Sequence, residues 1–433
     1  MQSLAHTPRL EHRIERYLFV FIVLLINCFL HFANGSASDT DADGGSALAQ
    51  AVWGLVYAGA FAGLFVERRR AWALMRASWP ILALVALVVC SSLWSSDPGL
   101  TAKRAFGLAG TTAIAYYAVS RFGLRTFVTL LGIASAIAAA LSLIAVVAAP
   151  SVGIMHGDEY PGTWQGIFDH KNDLGEAMSL GIVTLLVVAV GASGRRRRLA
   201  IGGIALCGVL LIGAQSATAF VSAACGCGII GLALLWRSER HRGLFWTALA
   251  LAAVTAAAFA FDSQALMAIL GRDASLTGRT DIWPVAFGAI QDHPLLGYGY
   301  GVFWLPDGPY LSYLAASNWG FWNPVHAHNG FLQLALDVGI VGTALFVLTL
   351  LYGASRSVAF ACNGGETWNV WPLAAIATFV IANLTDVSIA SYNNLYWVIF
   401  VAAFLYLFRE AEPSRRRHAL PKRGGLLIQP RNA

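Results

Sequence analysis

Two histidines and an asparagine stand at the mouth of an apolar segment, where residues 324–342 read PVHAHNGFLQLALDVGIVG. A neutral imidazole titrates near physiological pH and can take a proton from an attacking hydroxyl. His328, at the junction of loop and helix, is the expected general base, with His326 and Asn329 beside it as expected substrate contacts. Gln333 and Asp337 are four residues apart and share one stripe of the helix that follows. An acid inside such a segment faces the bundle interior or a wet cavity. The structural alternative is that one histidine caps the helix while the other packs beside it. Two histidines with no clear third ligand make a poor zinc set, so no metal is expected.

Three further segments carry polar groups. Residues 162–178 read GTWQGIFDHKNDLGEAM, with Asp169, His170, Lys171, Asn172 and Asp173 leading into an apolar run. Asn172 or Asp173 is the expected N-cap. Lys171 then lies by the positive end of the helix dipole, where an anion is favoured; the alternative is a plain cap with an interfacial lysine. Residues 275–304 read SLTGRTDIWPVAFGAIQDHPLLGYGYGVFW. Thr280 reads as an N-cap, with Pro284 tolerated in the first turn. Ile282, Ala286, Ala289 and Ile290 share a face, and His293-Pro294 ends this short helix, read as lying along the membrane surface. Arg279 stands at its N-terminus, so a guanidinium and free N–H groups can converge on one phosphate; a snorkelling arginine is the competing reading. The GYGYG run lacks the spacing and setting of a dinucleotide fingerprint and reads as a turn where backbone approaches a neighbour. The last segment, QSATAF at residues 215–220, marks a tight turn and a helix start, and its Gln215 and Ser216 join Asn172, Lys103 and Arg104 as expected substrate contacts. Asn383, Asp386, Asn393 and Asn394 add polar groups for sugar hydroxyls at the final outer turn.

The elements that must hold these residues are membrane helices. The chain has 433 residues, 57% hydrophobic and only 12% charged, about half the charged fraction of soluble domains. Apolar runs of membrane length recur throughout, and lipid offers no partner for unpaired backbone groups, so such runs cross it as helices. The expected fold is all-α, one polytopic integral membrane domain over residues 1–433. Its helical bundle covers 16–409, with a long outer loop at 262–328 bearing the short interfacial helix and a basic tail at 410–433. About twelve spans are expected, at 17–33, 47–66, 79–94, 106–119, 126–149, 174–192, 199–214, 216–236, 243–261, 329–353, 370–386 and 392–408. The seventh and eighth are parted only at Gln215-Ser216. The first could pass for a signal peptide with a weak cleavage site at Ala33-Asn34-Gly35, although the topology works with it retained. The six cysteines lie in spans or in an inner loop and imply no disulfide framework.

Charge decides which way the loops face. The net charge of +6 would allow a nucleic-acid partner, but 24 of the 29 Lys and Arg fall in alternate loops and the tail. That is the signature of cytoplasmic retention, with both termini inside, and such cations need no partner. The exceptions are Lys103, Arg104, Lys171, Arg272 and Arg279. Cations held outside against the topological preference point to an anionic ligand on that face.

Taken in order, FDHKNDLG, LTGRTDIW with PLLGYG, and HAHNGFLQLALDVGIVG resemble the motifs of the O-antigen ligase superfamily, over residues 160–345 as motifs and the whole chain as topology. The HKN segment is most similar to the exopolysaccharide-production branch. The resemblance implies a GT-C-like glycosyltransferase of the bacterial inner membrane with its site at the periplasmic face. It implies transfer of a glycan from a polyprenyl-diphosphate carrier to an acceptor hydroxyl without metal or cofactor. The acceptor would be a second glycan in a polymerase, or lipid A core in a ligase; a flippase of lipid-linked sugars is the competing class. His328 matches the family's outer-loop histidine, with ten residues between it and Gly339, and Arg279 and Lys171 match its diphosphate-binding cations. Relatives often carry a basic residue beside the serine matching Ser216, where this chain has Ala217. Either Lys103 or Arg104 serves the second phosphate, or that segment is mismatched.

Overall fold

A computed structural model describes residues 7–34, 47–156, 160–250, 279–314, 324–363 and 365–409. The described residues are helical, apart from turns, loops and one isolated bridge between Ile154 and Trp164. Among the described residues, six helices are long and apolar enough to cross a membrane: Ala47–Val66, Leu124–Ala148, Lys171–Gly191, Gly194–Ala214, Ala217–Trp236 and Gly330–Asn363. Each starts within five residues of an expected span. A seventh arises if Arg68–Ala77 and Trp79–Leu93, bent by 87°, count as one. The close pair at Gln215 does separate, because Gln215 takes a left-handed conformation (φ 50°) that ends the first helix.

The other expected spans differ from a simple crossing. Span 106–119 lies inside Pro98–Arg121, whose early turns carry Lys103 and Arg104. Spans 370–386 and 392–408 shorten to Trp371–Asn383 and Leu395–Tyr406, of 13 and 12 residues. Every residue of Leu395–Tyr406 is buried, so its all-round apolarity serves the protein interior rather than lipid. The first span belongs to Thr7–Asn34. Much of span 243–261, Arg272 and the basic tail lie outside the described residues.

The arginines of the basic loops gather at one end of the bundle, and some of them also have partners within the fold. Arg121 bridges Glu15 at 2.7 Å and Glu67 at 3.2 Å. Arg237 donates to the Ala361 and Glu366 carbonyls at 2.6 and 3.0 Å. Arg125 lies over the Trp368 ring at 5.4 Å, and Arg409 donates to the Phe122 carbonyl. Several of these close helix C-termini, where free carbonyls and the negative dipole end favour a cation.

At the opposite end a second small core forms outside the bundle. Ile282, Val285, Ala286 and Ala289 of the Arg279–Asp292 helix pack on Phe303 and Tyr310. This helix begins at Arg279, so Thr280 lies within it rather than capping it, and Pro284 lies beyond the first turn.

The loop after Pro294 is tied to Gly330–Asn363 by a break in that helix. Val338 (φ −133°, ψ 17°) and Gly339 (φ 66°, ψ −169°) leave helical geometry. In an unbroken helix Ile340 N–H would donate to Leu336 and Val341 N–H to Asp337. Instead Ile340 donates to Pro294 at 2.8 Å and Val341 to Leu295 at 3.3 Å. The freed carbonyls of Leu336 and Asp337 accept from Tyr298 at 2.8 Å and Gly299 at 3.1 Å. A loop thus takes the place of two helical hydrogen bonds, and these two donors and two acceptors all stay paired.

Candidate functional site

The GYGYG run continues from that clasp. Gly297, Gly299 and Gly301 all have positive φ, at 65°, 101° and 74°. Tyr300 N–H donates to Ser91 Oγ at 3.0 Å, and Thr101 Oγ1 donates to the Tyr300 carbonyl at 3.2 Å. Gly301 N–H donates to Asp337 Oδ1 at 3.1 Å, and Gln333 Nε2 donates to the same oxygen at 3.1 Å. Gln333 Oε1 accepts from Trp304 Nε1 at 3.0 Å and from Ala327 N–H at 3.1 Å. The buried Gln333–Asp337 pair therefore fastens two loops, the glycine run and the histidine segment, to one helix. That is the stripe expected from their spacing.

Where these loops meet Pro98–Arg121 and the last outer turn they enclose a cavity of about 410 Å³. Its wall includes Arg104, His326, Asp337, Trp304, Ser391 and Tyr392. Arg104 is half-buried, donates from Nη1 to the Gly301 carbonyl and lies within electrostatic reach of the Asp337 carboxylate. Lys103, its neighbour, is exposed. Tyr300 also lines the cavity and donates its hydroxyl to the Ala390 carbonyl at 2.6 Å. Burial, and secondarily the nearby Asp337, hold its phenol well above the ordinary range, so Tyr300 is a fixed neutral donor.

His328 lies behind His326. The rings are 4.0 Å apart between centroids and His328 N–H donates to His326 Nδ1 at 3.1 Å. Neither histidine caps the helix. Asn329 does, its Oδ1 accepting from Phe331 N–H at 3.0 Å and Leu332 N–H at 3.2 Å. His328 has φ 48°, a left-handed conformation that costs a non-glycine residue about 1–3 kcal/mol and clusters at functional sites.

The lysine segment forms a second patch, whose Lys171, Asn172, Gln215 and Ser216 are absent from the cavity wall. His170, not Asn172 or Asp173, is the N-cap, its ring accepting from Asn172 N–H at 3.2 Å. The extended backbone of His170 points its side chain back over the first turn, which leaves Asn172 and Asp173 inside the helix. Lys171 is buried, with Nζ 3.9 Å from the Tyr160 ring centroid. One turn on, Gly175 abuts Ser216, where an added Cβ would lie 2.8 Å from the serine Cβ. Thr385 donates to Thr218 at 2.8 Å, which ties this patch to the turn that receives the Asn329 amide at Leu384 (3.4 Å). Arg279 is the first residue of its helix by backbone; its side chain lies outside the described residues.

Of the residues marked in the sequence, Arg104 by its charge and His326 by its segment lie on the cavity, and His328 lies against it. It missed the aromatic wall of Trp304, Tyr300 and Tyr392, although Tyr392 adjoins two asparagines already marked as sugar contacts.

Residues 202–347 match the family described as O-antigen ligase. The exopolysaccharide production protein ExoQ of Rhizobium meliloti is 27% identical over 288 residues, 63% of each chain. A Rickettsia conorii protein, whose name marks it provisionally as a polysaccharide ligase, is 28% identical over 137 residues, 30% of each chain. This chain thus covers less than two thirds of either relative. The matched region contains Ser216, the Arg279–Asp292 helix, the glycine run, both histidines and the helix break.

Proposed function

We propose that this protein is a glycosyltransferase of surface polysaccharide assembly, moving a glycan from a polyprenyl-diphosphate carrier to an acceptor hydroxyl. The observation that carries the reading is the meeting of the strained His328, through His326, with a polar and aromatic cavity at the bundle end away from the basic loops. In this reading the bundle crosses the bacterial inner membrane about twelve times, with termini cytoplasmic and the cavity periplasmic, in keeping with the charge asymmetry.

The proposed reaction is a single displacement. His328 takes the proton of the acceptor hydroxyl as its oxygen bonds to the anomeric carbon. The bond from that carbon to the diphosphate breaks, and the carrier leaves with the electron pair. Configuration inverts. Diphosphate is already a good leaving group, so cations that meet its growing charge matter most; Lys171 and Arg279 take that part. A positioned base adds about 10²–10⁴ in rate. Polymerisation is favoured over ligation because the relative matched over the longer stretch is named for exopolysaccharide production.

The test follows carrier release and glycan size with purified protein and a polyprenyl-diphosphate oligosaccharide in EDTA. Release with longer glycans from donor alone, absent in His328→Ala, is the expected result. Release only after lipid A core is added would make the protein a ligase. No release with either acceptor would overturn the transferase reading in favour of transport, and full activity in the variant would remove His328 from the mechanism.

A further inference from the structure

Building on the transferase reading, we infer that the cavity between Arg104 and His326 is the acceptor-sugar subsite and takes an uncharged polyhydroxylated ring rather than the carrier diphosphate. Three observations carry this. The first is charge. The only cation among the described wall residues, Arg104, is already engaged with the Gly301 carbonyl and stands beside the Asp337 carboxyl. A diphosphate brought here would meet a single guanidinium already spent on a carbonyl, with an acceptor carboxyl beside it. Sugar hydroxyls, by contrast, donate and accept, and can use a guanidinium, a carboxylate, the Gln333 amide and the Ser391 hydroxyl together.

The second is shape. About 410 Å³ falls in the usual range of small-ligand pockets, which pair an aromatic lining with a few fixed polar groups. Trp304, Tyr300 and Tyr392 offer rings to the C–H faces of a pyranose. Trp304 and Tyr300 are held by hydrogen bonds, so those walls exist before any ligand arrives.

The third is direction. An in-line displacement needs nucleophile and leaving group on opposite sides of the anomeric carbon. Lys171, the described cation assigned to the diphosphate, is not in the cavity wall, whereas His326 is, with His328 ring-to-ring behind it at 4.0 Å. The acceptor hydroxyl therefore approaches from the cavity. His326 is a positioning residue: it accepts the His328 N–H and holds that strained turn.

The test measures binding, which needs no turnover. The probes are a lipid-free oligosaccharide cut from the host's own surface polysaccharide, and undecaprenyl diphosphate carrying no glycan. Tyr392→Ala removes an exposed wall, and Ser391→Phe fills the cavity; both positions are partly or well exposed, so the fold tolerates the change. Each variant is expected to bind the oligosaccharide about tenfold or more weakly and the carrier within about twofold of wild type. Failure of the wild type to bind the oligosaccharide, variants that leave its affinity unchanged, or variants that lose the carrier instead, would each overturn the assignment. Glycan binding lost in both variants, with no carrier release by the wild type in the transfer assay, would overturn the transferase reading and not the ligand class.

Discussion

A Cβ at Gly339 would stand 2.2 Å from the carbonyl carbon and oxygen of Leu295, and the residue already has φ 66°. The left-handed backbone alone costs another residue about 1–3 kcal/mol, and the clash displaces the clasping loop. Gly339→Ala should therefore lower the thermal midpoint in detergent by several degrees and reduce carrier release; an unchanged midpoint would mean that the clasp bears no load. Asp337 makes a finer test. Asn keeps an acceptor for Gly301 N–H, whereas Leu strands that donor and the Gln333 amide, at about 1–3 kcal/mol for each buried group. Denaturation midpoints should rank wild type, Asp337→Asn, then Asp337→Leu. At this scale the sequence announced the residues and concealed their geometry. The Gly339 spacing was visible, but the apolar pattern runs through the break without interruption. The His170 cap was hidden because capping depends on where the chain turns, and Asn172 and Asp173 are the commoner caps.

Among elements, the controlling relation is between the segment that starts at Pro294 and the helix it enters. Gly297 and Gly339 lie on the two sides of one contact: a Cβ at Gly297 would come 2.4 Å from the Leu336 carbonyl oxygen. Either substitution pushes the same backbone pair apart, so the second costs less once the first is present. A double-mutant cycle of Gly297→Ala and Gly339→Ala should fall short of additivity by about 0.5–3 kcal/mol. Additive losses would show two separate contacts. Six long helices were legible because membrane-length apolar runs admit little else. The Leu395–Tyr406 helix is shorter than the span expected there, a difference the sequence hides because burial in protein and exposure to lipid demand the same side chains.

For the whole molecule, polarity of the two ends is the organising fact, and it was visible in the alternation of basic loops. What could not be read was the partnering. Arg121 bridges two carboxylates from different segments, with side chains 18–23% exposed. Arg121→Met leaves both without their cation, and should cost about 1–3 kcal/mol, below the 3–5 of a fully buried pair because solvent reaches the site. A loss under a few tenths would mark the bridge as ornamental to stability. The orientation has its own check. Val325 is 73% exposed at the cavity end, so Val325→Cys in intact cells should react with a membrane-impermeant thiol reagent, and Arg69→Cys only after lysis. The reverse pattern would invert the proposed topology.

The clasp at the helix break also has a consequence for descent. Its four hydrogen bonds match Pro294, Leu295, Tyr298 and Gly299 one-to-one with Leu336, Asp337, Ile340 and Val341. One added or deleted residue within either stretch would carry every later donor past its acceptor. The two stretches are therefore a single unit of inheritance, and lineages that diverge in sugar or acceptor must do so by changing side chains there while keeping the count.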